Sequence, residues 1–260
     1  MSDEFGVCPD RTEGPGSWIA EVLHPFATDV GSLIPPIYSH YARLFHPASR
    51  FVDDRQIAVT WKEVAAITGS SVHPEMQWSN ISGQGFPPRH SAPGLWDDEP
   101  ERGRLPKQWA PRLAELLKVH TSSLTRVWFG IWDGWGDGQL LTSAIRMKLS
   151  QQGSMREGHR QERAPIDELD LPYRRYLLIQ SAIEDITMSL SDDAYWLTAS
   201  MWWPEDRSWF VHTEVDLAST YVGGTKACLL DVLGETSIES LPTTEYHRIS
   251  WDSDQANSRP

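Results

Sequence analysis

Glu214 and Asp216 stand two residues apart in the run VHTEVDL, and His212 precedes Glu214 by the same interval. On an extended chain that spacing puts all three side chains on one face. Paired carboxylates divide acid and base roles when burial separates their pKa values, so a carboxylate-dependent hydrolase or transferase using Glu214 and Asp216 is one chemistry open to this stretch. The other is structural: both acids sit at a strand end and hold loop amides or an arginine. Two further acids, Glu205 and Asp206, fall just upstream in WWPEDRSW.

Tryptophan is over-represented, with 13 in 260 residues. An indole offers a large apolar area, one N–H donor and a face that attracts cations, which suits a core as well as a ligand site. Trp132, Trp135, Trp202, Trp203 and Trp209 are the ligand-facing candidates, because each lies in or beside a segment with strand character. The run Gly134-Trp135-Gly136-Asp137-Gly138 has the composition of a calcium or sugar loop but lacks the regular acidic spacing of the former, so no metal is expected. Gly223-Gly224-Thr225 reads as a strand-to-helix turn whose free amides can take an anion.

No nucleophile elbow, phosphate loop, dinucleotide fingerprint or zinc-spaced Cys/His pair occurs, and the nine histidines are scattered. These absences favour a non-enzymatic binding or interaction protein without a cofactor. A formal net charge of −13 argues against a nucleic-acid partner and for a protein or cationic small molecule. Only Cys8 and Cys228 are present, too few for a disulfide framework. The first residues lack an apolar core of the signal-peptide kind, and no run approaches the roughly 18 apolar residues of a membrane span, so a cytoplasmic protein without a membrane partner is expected.

The elements that must position these residues are legible in part. Met201–Trp203 and Ser208–Val215 flank Pro204-Glu205-Asp206-Arg207 as the arms of a hairpin, and Cys228 to Leu233 form a helical apolar face ended by Gly234. Thr60-Trp61-Lys62-Glu63 has capping-box spacing before a short helix that stops at Gly69. A third helix runs from about Lys107 to His120, with Pro111 in its first turn. Thr125–Asp133 is apolar on both faces and reads as a central strand. Pro172–Ile179 and Tyr195–Thr198 are further strand candidates, Arg50–Val59 holds a short one, and Ser181 to Glu184 has the spacing of a second capping box. Val72–Arg104 reads as a long loop, and the proline-broken stretch from Pro25 to Pro47 as extended or turn-rich. Residues 1–16 and 250–260 should fray, and the basic insert 139–163 should be mobile.

The segments WWPEDRSWFVHTEVDLASTYVGGTKACLLDVL, RVWFGIWDGWG, LPYRRYLLI and VTWKEVAAITGSSVHPEMQW together resemble a family of uncharacterised actinobacterial proteins. The resemblance implies a shared fold and no particular activity. LPKQWAPRLAELLKVH followed by a strand is also similar to the helix beside a sheet in SUKH-type immunity proteins, which implies an immunity-like interaction role. The fold expected is a single α+β domain over 17–249, with a mainly antiparallel sheet and helices packed mostly on one face.

Overall fold

A computed structural model describes residues 14–83, 94–135, 166–187 and 197–258. The expectations for the basic insert, for residues 1–13 and for Gly136 to Gly138 fall outside them. The fold is α+β, built on an eight-stranded antiparallel sheet. In spatial order the strands are β10 (Ser240–Thr243), β1 (His40–Phe45), β9 (Ser219–Gly224), β8 (Trp209–Thr213), β7 (Met201–Pro204), β4 (Val127–Trp132), β6 (Arg174–Ser181) and β5 (Asp167–Leu171). The hairpin read around Pro204 is β7 and β8, paired Met201 to His212 and Trp202 to Val211. The strand read as central, β4, lies between β7 and β6.

Because β4 alternates apolar residues on both faces, it feeds two cores. Val127, Phe129 and Ile131 join Trp202, Trp209 and Val211 under α4 (Ala110–Leu117) and α5 (Lys226–Gly234). On the opposite face Trp203, Phe210, Tyr176 and Leu178 pack with Trp18 and Ile19 of α1 (Ser17–Val22) and with Leu33 and Ile34. A third cluster gathers Phe45 and Trp61 with Trp78 of α3 (Trp78–Ile81). It lies beside the small hairpin of β2 (Ala48–Val52) and β3 (Arg55–Val59).

The capping box forms as expected: Thr60 accepts from the Glu63 amide, Glu63 reaches back to Thr60, and α2 (Trp61–Thr68) ends at Gly69 in the left-handed region. Glu239 adds a second cap from across the chain, accepting from the amides of Trp61 at 2.6 Å and Lys62 at 2.7 Å. Arg43 is buried with its guanidinium 4.6 Å from the Phe45 ring, and it donates to the Pro74 and Met76 carbonyls at 2.8 and 2.9 Å. It fastens the segment after α2 to β1.

Four expectations need correction. Gly223 and Gly224 are not a turn; they end β9, paired to Tyr41 and His40 on one side and to Phe210 and Trp209 on the other. Glycine is required at 223 for space, since an added Cβ would lie 2.6 Å from Ile34 Cγ2 and 2.8 Å from Tyr38 Cδ2. The second capping box is absent: Ser181 hydroxyl donates to Asp185, and the turn is a 3-10 helix over Ile183–Thr187. Of the strand expected over Tyr195–Thr198, Tyr195 and Trp196 lie outside the described residues, and Leu197 and Thr198 precede the strand, which starts at Met201. Over residues 250–258 the tail is packed rather than frayed. Asp254, with a fully buried side chain, pairs with His73 Nε2 at 2.8 Å and accepts from the amides of Gln77 at 2.9 Å and Asn257 at 3.0 Å. These polar contacts, which carry no apolar periodicity, close the C-terminal segment onto residues 71–80.

Candidate functional site

β8 and the turn after it carry His212, Glu214 and Asp216 toward the start of β6, where Arg174 receives the two acids. Its guanidinium donates to Glu214 Oε1 from Nε at 3.1 Å and from Nη2 at 2.8 Å, and to Asp216 Oδ2 at 2.6 Å. Phe26 and Trp132 rings lie 5.2 and 5.4 Å from its Cζ. The cation is thus held by two carboxylates and two aromatic faces. Burial works against its charge, but the hydrogen bond to Glu214 and the charges of Glu214 and Asp216 outweigh that and raise its pKa.

His212 is buried behind this pair. Its Nδ1 lies 2.9 Å from the Leu33 carbonyl, so Nδ1 carries the hydrogen and donates. Nε2 has no hydrogen-bond partner among the described residues and stands 3.8 Å from Glu214 Oε2. Burial lowers the pKa of His212, against the opposing pull of Glu214 and the Leu33 bond. The ring packs edge-on to Tyr176, whose phenol is pushed up by burial and then by Glu214.

The structure brings His212, Glu214 and Asp216 to one place, Asp216 from the turn after β8 rather than from the extended strand the spacing assumed, and adds Arg174, Phe26, Trp132 and Tyr176, which sequence reasoning missed as partners. The signal was available in PYRRYLLI, where Arg174 and Tyr176 share one strand face, and the pairing of Trp132 with Tyr176 makes them neighbours. Trp135 packs edge-on to Trp132 at 5.5 Å and lies beneath Arg104, 5.1 Å from its Cζ. The other tryptophan candidates do not belong here. Trp202, Trp203 and Trp209 are at most 1% exposed and form core pairs, Trp202 with Trp209 at 5.0 Å and Trp203 stacked on Phe210 at 5.4 Å. Gly223 and Gly224 are buried at the end of β9, and the Thr225 hydroxyl caps α5 by accepting from the Cys228 amide at 3.3 Å.

Glu205 and Asp206 are also committed to structure. Glu205 accepts from Trp128 Nε1 at 2.7 Å and Gln180 Nε2 at 3.0 Å. Asp206 accepts from the Ser122 amide at 2.8 Å and the Thr121 hydroxyl at 2.9 Å. Burial opposes its ionisation, yet those bonds, with the Ser122 hydroxyl and the Ser208 amide, hold it down at about 2. Cys228 is a free, buried thiol pushed up to about 12 by burial and Asp231, the opposite of an activated nucleophile. Among the described residues no group of three or more His, Cys, Asp or Glu is placed to hold a metal ion, and no helix is long and apolar enough to cross a membrane.

Large aromatic rings stand exposed next to Arg174 and along the segment from 246 to 251. Tyr173 is 83% exposed and packs on Phe26 at 5.2 Å. Residues 245–249 run antiparallel along 28–31, through the amides of Val30, Gly31 and Ile249, and this strip presents Tyr246, stacked on His24 and 71% exposed. Trp251 follows at 85% exposure. No protein-family model, curated protein or solved structure matches this chain.

Proposed function

We propose that this chain is a non-enzymatic binding protein that seats a basic segment of a partner protein on the aromatic surface beside the Arg174 cluster. The observation that carries this reading is the exposure of Tyr173, packed on Phe26, and of Tyr246, stacked on His24 two residues before Phe26, since neighbouring uncovered aromatic rings mark interaction surfaces. The charge around that strip selects the partner. Asp216 stays 77% exposed despite its bond to Arg174, Glu245 flanks Tyr246, and Arg248 is neutralised by Asp252 at 2.7 Å. Cationic side chains stack on indole and phenol faces and pair with such a rim. What weighs against the carboxylate-dependent hydrolase is the position of its two acids, both bonded to one arginine.

A fluorescein-labelled hexa-arginine peptide, titrated by anisotropy, tests the assignment. Binding should weaken about tenfold on Tyr173→Ala or Tyr246→Ala, fall with added salt, and be absent for hexa-glutamate. No binding of the arginine peptide, or binding indifferent to both substitutions, overturns it.

A further inference from the structure

Strand edges distinguish one part of this molecule from the rest. The main sheet ends at β5, whose sequence DELDL places three acids along the edge, and at β10, which contains Pro242. Both devices discourage another strand from pairing there. The outer edge of β2 is covered: Ser49 exchanges backbone bonds with Asp98 at 3.0 and 3.1 Å, and the Phe51 amide donates to Asp97 Oδ2 at 2.7 Å. The outer edge of β3, RQIAV, has no proline and no acid, and among the described residues no backbone bond reaches it.

The hydrogen-bond phase of the hairpin says which groups that edge presents. Ser49 and Phe51 point their amides away from β3, so Ala48, Arg50 and Val52 face it, and their partners Val59, Ile57 and Arg55 face back. Gln56 and Ala58 therefore direct N–H and C=O outward. Ile57 between them is 43% exposed, with Val52 at 37% on the same face of the ribbon. A two-stranded ribbon with uncovered apolar residues is marginal by itself and gains from further strands.

We propose that the outer edge of β3 pairs antiparallel with the same edge of a second copy of this chain, about a two-fold axis at Ile57. This register sets Gln56 opposite Ala58 of the partner subunit and the reverse, making about four backbone hydrogen bonds. Ile57 meets Ile57 of the partner subunit in the non-hydrogen-bonded position, where side chains approach most closely. The contact is isologous and closes after two copies. Charge supports this occupant. On a chain of net charge −13 the stretch 50–63 is locally balanced, Arg50, Arg55 and Lys62 against Asp53, Asp54 and Glu63. The antiparallel register carries the Asp53-Asp54 turn of one copy toward Lys62 of the partner subunit. Added salt strengthens the dimer, because it screens repulsion between two acidic bodies.

Sedimentation velocity over a wide concentration range, with a disulfide trap, tests this pairing. The wild-type chain should move from monomer toward dimer, and Ala58→Pro, which deletes an outward N–H, and Ile57→Lys, which opposes two charges on the axis, should each weaken dimerisation more than about tenfold with little change in thermal midpoint. In a Cys8→Ser background, Ile57→Cys should cross-link rapidly on mild oxidation and Phe51→Cys should not, which also decides the matter if Ala58→Pro fails to fold. A wild-type chain that stays monomeric overturns the proposal. So does a dimer that keeps its affinity in both edge variants, or equal cross-linking at positions 57 and 51.

Discussion

Replacing Arg174 by Met keeps most of the side-chain volume and removes the cation that Glu214 and Asp216 share. Glu214, with its side chain only 7% exposed, would be left as a buried carboxylate beside the unprotonated Nε2 of His212. The expected cost is roughly 3 kcal/mol of unfolding free energy at neutral pH, because an unpaired buried charge is expensive. Arg174→Met combined with Glu214→Gln should recover a large part of it. Urea denaturation of the wild type and both variants measures this, and an unchanged midpoint for the single variant would contradict the pairing described. The alternate spacing singled out the two acids and the histidine, although Asp216 reaches the arginine from a turn, and an arginine partner was among the readings that spacing allowed. Which arginine was not legible, because β6 lies about forty positions upstream and nothing local in PYRRYLLI encodes a partner in the loop after β8.

At the scale of elements, local codes were read best. The capping box of α2 and the β7–β8 hairpin need only neighbouring residues. The glycine pair of β9 was misread because local propensity makes glycine a turn residue, whereas its requirement at position 223 is tertiary. Gly223→Ala should therefore cost on the order of 1–3 kcal/mol through overlap with Ile34 and Tyr38. Gly234→Ala, where an added Cβ meets nothing within 4 Å, should be neutral or raise the thermal midpoint slightly. If calorimetry ranks the two variants the other way, glycine at 223 is not there for space. The same contrast of local and remote signals explains β1, which has neighbours from beyond position 218 on both sides and was read only as extended chain.

Across the whole molecule, buried neutral histidines set the acid limit. His46 is fully enclosed, 2.7 Å from the Glu101 carbonyl through Nδ1 and 2.9 Å from the Thr220 hydroxyl through Nε2. Burial first, with a further push from Arg43 against the Glu101 bond, lowers it from 6.5 to about 4. A depressed folded value means the unfolded chain takes up the proton first. Stability is therefore full above pH 6.5 and declines as pH falls toward 4, by on the order of 3 kcal/mol for this group. His212 adds to the decline in the same direction. Denaturant midpoints at pH 7 and 4.5 should show the loss, and His46→Gln, less stable at neutral pH, should show a shallower slope. The C-terminal closure has a different consequence, one of timing during synthesis. Residues 71–80 wait for Asp254 and Asn257, and β1 waits for β9 and β10, so a growing chain holds these segments without their neighbours until the residues from 219 onward have been made. A ribosome that stalls before position 219 releases a product in which Leu44 and Phe45 have no sheet to enter, which marks it for chaperones and proteases rather than for use.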